Sequence, residues 1–168
     1  DRSGSMLETF DALKRELKRS VSALKPRQKF HVIFFSKDPI ESPPRDLVDA
    51  IRARKGEFYE FLDGVRAEGS TNPEPAMARA ADGGKSGEFS GVVTGPVSKE
   101  RLAAVGYPFP GQTEFFADRW GGDPVMCFCG GRLRVALATW HVPLIEVAQL
   151  LGPQLLHRTI AAADQLAK

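Results

Sequence analysis

Asp1, Ser3 and Ser5 stand at alternate positions in the opening run Asp1-Arg2-Ser3-Gly4-Ser5-Met6. One carboxylate and two hydroxyls on a tight loop are hard donors, the kind that Mg²⁺ or Mn²⁺ takes. Gly4 lets the backbone turn between them. Asp1 and Ser3 also suit a plainer role, capping the first turn of a helix. Thr94 to Lys99 (TGPVSK) is a strand-to-helix turn, a natural place for an anion. Cys127 and Cys129 lie two apart in an apolar run and face one side of a strand. That spacing does not match a zinc knuckle, so the pair reads as small core residues. His31 opens a strand and reads as structural, and His157 sits on the last helix.

These groups need elements to hold them. Met6, Phe10, Leu13, Leu17, Val21 and Leu24 recur at steps of three and four, which predicts a helix with one buried stripe. Lys29 to Ser36 predicts a buried strand, and Pro39, Pro43 and Pro44 mark a loop after it. Short helices are predicted over Asp46 to Arg54, Glu57 to Val65 and Pro75 to Asp82. Phe89 to Thr94 predicts another strand, Ser98 to Val105 a helix ended by Gly106, and Thr113 to Trp120 a helix. Val125 to Cys129 and Leu133 to Thr139, joined by Gly130-Gly131-Arg132, predict a hairpin. Helices over Pro143 to Leu151 and Pro153 to Leu166 close the chain. Alternating strands and helices imply an α/β fold: a three-layer Rossmann-like sandwich, its sheet mostly parallel, with a late antiparallel hairpin.

The 168 residues carry 42% hydrophobic and 26% charged side chains, enough for one sizeable core. A net charge of +2 gives no strong field toward nucleic acid or a membrane surface. Lys14, Arg15, Lys18 and Arg19 read as the solvated face of the first helix. No apolar run is long enough to span a bilayer. Two cysteines make no disulfide framework, which favours a reducing, cytoplasmic setting. The chain starts at Asp1 rather than Met, which points to upstream sequence removed, processed or not included.

The DxSGSM loop with its helix, the Lys29–Ser36 strand and Gly69-Ser70-Thr71-Asn72 together resemble the von Willebrand factor A family, over residues 1–80. The resemblance adds Thr71 to Asp1, Ser3 and Ser5 as an adhesion-site ligand for Mg²⁺ or Mn²⁺, and implies a protein ligand. From about Ala78 the sequence instead resembles the 4-hydroxythreonine-4-phosphate dehydrogenase family, through Thr94-Gly95-Pro96, Pro108-Phe109-Pro110-Gly111-Gln112-Thr113-Glu114 and Ala138-Thr139-Trp140-His141-Val142-Pro143-Leu144. That family oxidises a phosphorylated hydroxy-amino acid with NAD(P)⁺ and a divalent metal, works as a homodimer, and decarboxylates the keto acid formed.

By this resemblance His141 is the first of three metal-ligand histidines, the other two falling past Lys168 with the phosphate-binding Lys and Arg. Gln112 and Thr113 match a substrate-contacting His-Thr pair. Gln112 departs from it, since an amide donates a hydrogen bond but carries no proton. The two halves, 1–80 and 81–168, are expected to pack as one α/β unit, with an active site too incomplete for catalysis by this chain alone. The competing readings are a Mg²⁺-dependent protein-binding module and a recombined or designed fold without evolved activity.

Overall fold

Phe10 and Val21 are buried on α1 (Phe10–Ala23), with Met6, Leu13, Leu17 and Leu24 packed beside them, as the stripe predicts. The computed structural model describes residues 1–97, 99–104, 106–109 and 111–168. A 3-10 turn over Gly4–Met6 leads into α1. The apolar run after it holds two short strands, β1 (Lys29–Phe30) and β2 (Ile33–Phe34). The chain then doubles back through β3 (Ile40–Glu41) and β4 (Val48–Asp49). Phe34 pairs with Ile40 and Phe30 with Val48, both antiparallel.

The helix expected over Asp46 to Arg54 therefore does not form at its start. Val48 is β-branched and Ala50 N–H donates to Gln28 O at 2.8 Å, so pairing outweighs helix propensity there. A single helix, α2 (Arg52–Gly64), replaces the two short ones. Phe58 and Leu62, four apart, bury on one face and carry the helix through. α3 (Glu74–Ser86) ends at Gly87, whose φ of 81° is the left-handed closure that glycine takes without strain. α4 (Lys99–Ala104) and α5 (Gln112–Trp120) follow; Ser98 and Val105, the expected ends of the helix there, lie outside the described residues.

Phe89 to Thr94 is not a strand: among the described residues this run has no strand partner. Each described sheet is two-stranded and antiparallel. The fold is α/β, with seven helices and three antiparallel strand pairs among the described residues. The three-layer sandwich on a mostly parallel sheet is not seen among the described residues, whose strands pair only two by two and antiparallel.

Residues Asp1–Trp120 form one compact unit and Gly121–Lys168 a second. The first holds two apolar clusters. Phe10, Val21, Phe30, Phe34, Phe58 and Leu62 make one, between α1, α2 and the strands. Met77, Ala81, Leu102, Tyr107, Phe115 and Phe116 make the other, between α3, α4 and α5. The second unit holds the hairpin of β5 (Cys127–Gly130) and β6 (Leu133–Ala136), closed at Gly131 (φ 54°), then α6 (Leu144–Leu150) and α7 (Pro153–Ala167). Cys127 is half-buried and Cys129 exposed, so neither is a core residue. No helix among the described residues is long and apolar enough to cross a membrane.

Phe89 lies directly on Gly83, where any side-chain carbon would meet its ring, and the ring is held by Arg79 and His31. Gly83→Ala is expected to cost about 1–3 kcal/mol through overpacking. Gly91→Ala, which enters open space, should stay within about 0.5 kcal/mol. Thermal unfolding of the two variants checks this; equal melting points would remove the proposed packing of Phe89.

Candidate functional site

The amino-terminal loop is pinned from both sides by its backbone. Arg2 N–H donates to Phe35 O at 2.8 Å, Glu68 N–H to Arg2 O at 2.7 Å, and Gly4 N–H to Gly69 O at 2.9 Å. The buried Arg2 guanidinium bonds Glu68 Oε1 at 2.8 Å and Asp38 O at 3.2 Å. This framework brings Asp1, Ser3, Ser5 and Thr71 together. Asp1 Oδ1 accepts the Ser3 N–H at 2.8 Å. Ser3 Oγ, buried, lies 2.8 Å from Ser5 Oγ and accepts the Thr71 hydroxyl at 2.9 Å. Neither residue caps the 3-10 turn with its side chain: Ser3 precedes it without a cap bond, and Asp1 Oδ1 accepts from Ser3 itself, ahead of the turn.

The oxygen spacing has a chemical meaning. A Mg²⁺ ion with ligands at about 2.0–2.1 Å keeps neighbouring donors about 2.9 Å apart. The Ser3–Ser5 and Ser3–Thr71 separations are those of hydroxyl hydrogen bonds, which an ion would have to replace. The donor set of hydroxyls and one carboxylate fits a hard divalent ion.

A second group forms at the start of α5. Gln112, half-buried at its first position, donates from Nε2 to Gly95 O at 3.3 Å. The expected substrate loop and the Thr94-Gly95-Pro96 turn thus meet at one place. Thr113, the next residue, is exposed, as are Thr94, Gly95 and Pro96. The Lys99 side chain of that turn lies outside the described residues. Beneath the loop, Phe109 and Tyr107 pack on Phe115, with ring centroids 5.4 and 6.0 Å away. Among the described residues Tyr107 Oη reaches the Met77 sulfur, at 3.8 Å. Burial, with Glu74 and Glu114 adding to it, pushes the Tyr107 phenol up to about 12.

His141 belongs to the second unit, exposed, with a left-handed backbone (φ 56°) that a non-glycine residue seldom adopts. Among the described residues no three His, Cys, Asp or Glu side chains converge as metal donors. His141 alone does not fit a metal centre needing about three protein ligands.

One cluster escaped the sequence reading. His31 Nε2 lies 2.7 Å from Glu41 Oε2, and Ser42 Oγ 3.3 Å from His31 Nδ1. Arg79 stands 3.5 Å from the same Glu41 carboxylate and bonds both oxygens of Glu88, holding that carboxyl below its usual range. The β2–β3 pairing sets His31 and Glu41 together, and nothing local in the sequence signals that pairing.

Comparison with known proteins follows the second group. The family model described as pyridoxal phosphate biosynthetic protein PdxA matches residues 40–168. The chain belongs to the PdxA family. A curated relative, the 4-hydroxythreonine-4-phosphate dehydrogenase of Serratia proteamaculans (strain 568), is 49% identical over 89 residues. The alignment takes in 52% of this chain and 27% of that protein, so the PdxA-family chain spans about a quarter of the relative it matches. The family match starts at residue 40, well before the change of resemblance near Ala78, and takes in β3, β4, α2 and Thr71.

The buried Tyr107 has a measurable signature. Its folded value lies above the unfolded one, so the stability it contributes is complete below pH 10 and is lost as pH climbs through about 12. Ultraviolet titration should show one of the two tyrosines ionising near 12, and Tyr107→Phe should abolish that step. A Tyr107 that ionises with free tyrosine would contradict its burial.

Proposed function

We propose that this chain is a segment of a 4-hydroxythreonine-4-phosphate dehydrogenase. It supplies part of the surface on which a phosphorylated hydroxy-amino acid is oxidised by NAD(P)⁺, and the remaining active-site groups come from other residues. The observation that carries this reading is the 49% identity to such a dehydrogenase over 89 residues. The contact of Gln112 with Gly95 supports it, joining two of the motifs by which the sequence resembles that family. In this reading the Gln112 amide and the Thr113 hydroxyl donate to substrate oxygens. His141 would supply one ligand of a divalent ion whose other ligands come from other residues; such an ion would polarise the substrate hydroxyl, and a nicotinamide would supply the hydride acceptor. In the same reading the chain by itself does not turn over. A homodimer is part of the same reading.

Titration with phosphorylated hydroxythreonine, followed by amide NMR, should perturb Gln112, Thr113 and Gly95. Thr113→Ala should weaken binding by up to about tenfold, the worth of one hydrogen bond. Shifts confined to other residues count against the substrate role. NADH formation by the chain alone, with substrate and Mg²⁺, would overturn its incompleteness.

A second reading rests on the oxygen cluster. Asp1, Ser3, Ser5 and Thr71 bind Mg²⁺ or Mn²⁺ and present it to a protein ligand, as their resemblance to the von Willebrand factor A family implies. The convergence of the Ser3, Ser5 and Thr71 hydroxyls beside Asp1 supports it. An ion at 100 times its Kd stabilises the folded state by about 2.7 kcal/mol. Mn²⁺ should therefore raise the melting point, and Ser3→Ala should cancel the rise. A melting point indifferent to millimolar Mn²⁺ and Mg²⁺ rules the reading out.

A further inference from the structure

Cys127 and Cys129 are the two cysteines of the chain, and both thiols are free. They stand two apart on β5, so their side chains leave one face of the hairpin and Phe128 leaves the other. The register sets Ala136 opposite Cys127 and Arg134 opposite Cys129, on the face the thiols share. With Cys127 half-buried and Cys129 exposed, that face is open to a small solute.

The spacing limits what the pair can do. Residues two apart on a strand are about 6.7 Å from each other. A disulfide draws its Cβ atoms to about 3.5–4.5 Å, so a direct S–S bond would buckle β5. A bridging ion spans more. Two metal–sulfur bonds of about 2.3 Å in line set the sulfurs about 4.6 Å apart, which each side chain meets by leaning about 1 Å toward the other. Cys127 Sγ lies 3.8 Å from Val125 O, a weak contact that rotation of χ1 to another staggered well gives up.

The number of donors selects the ion. Structural zinc takes four protein ligands and iron–sulfur clusters four thiolates. Among the described residues no three His, Cys, Asp or Glu side chains converge, so this pair has no such company. Cu⁺ is soft, has a closed d shell and accepts two thiolates in line.

We propose that Cys127 and Cys129 form a two-coordinate site for one Cu⁺ ion. Each thiol releases its proton to solvent as its sulfur takes the ion. Two thiolates and one Cu⁺ carry a net charge of −1, and the Arg134 guanidinium across the ladder offsets it. The site lies within the hairpin and is independent of both functional readings.

The test is an anaerobic titration of the full chain with Cu⁺ against bathocuproine disulfonate, whose colour reports the ion it keeps. One Cu⁺ per chain should leave the chelator. Cys127→Ser and Cys129→Ser should each lose more than about 100-fold in affinity, beyond the cost of losing an outer-shell partner. Cu⁺ should also slow alkylation of both residues by iodoacetamide at least about tenfold, read residue by residue by mass, because the ion occupies the nucleophilic thiolate. That measurement needs no variant, so it decides even where a serine chain fails to fold. A chelator that keeps all its Cu⁺ overturns the proposal, as does a single serine variant that binds like the parent. One ion per two chains overturns it too, by making Cys129 a bridge between copies.

Discussion

The ring of Phe89 is the point on which the larger unit turns. The Arg79 guanidinium stands 4.9 Å from its centroid and His31 stacks on it at 5.9 Å. Arg79 in turn bonds Glu88 and approaches Glu41, the partner of His31. Residues from β3, α3 and the segment after it are thereby locked around one side chain. The two apolar clusters would otherwise have little reason to keep register. Charge-assisted bonds of this kind are strong when partly shielded, and losing one partner strands the others.

This network also bears on the composite look of the sequence. His31 lies ahead of the family match, while Glu41, Arg79 and Glu88 lie inside it. The change of resemblance near Ala78 falls inside α3, where side chains on both sides of it are already buried. At the level of contacts the chain is continuous through Trp120. The family match, which begins at residue 40, crosses the same point.

Much of the local structure was legible. α1 announced itself by a clean 3.6-residue stripe, and the β5–β6 hairpin by Gly130-Gly131 between apolar runs. α6 and α7 began at or beside their prolines. The failures share one cause, that strand pairing is decided by distant partners. Val48 was read as helical because its partner Phe30 is invisible locally. Phe89 to Thr94 was read as a strand from composition, and no neighbour completes it. The oxygen cluster was legible because its members sit in two short motifs, and the turn at Gly69 (φ 76°) brings them together. Gln112 was found by motif, while its bond to Gly95 was not. His31, Glu41 and Arg79 carry no motif at all, so only the folded chain reveals them.

Of the residues from Gly121 to Lys168, Thr159 alone is buried. Leu144 and Ile145 stand 88% and 84% exposed. Burial of apolar surface is the main force that holds a fold against chain entropy. A segment this thinly covered contributes little to its own survival inside a cell. Within this segment Leu144 and Ile145 are where covering apolar surface would add most to its stability.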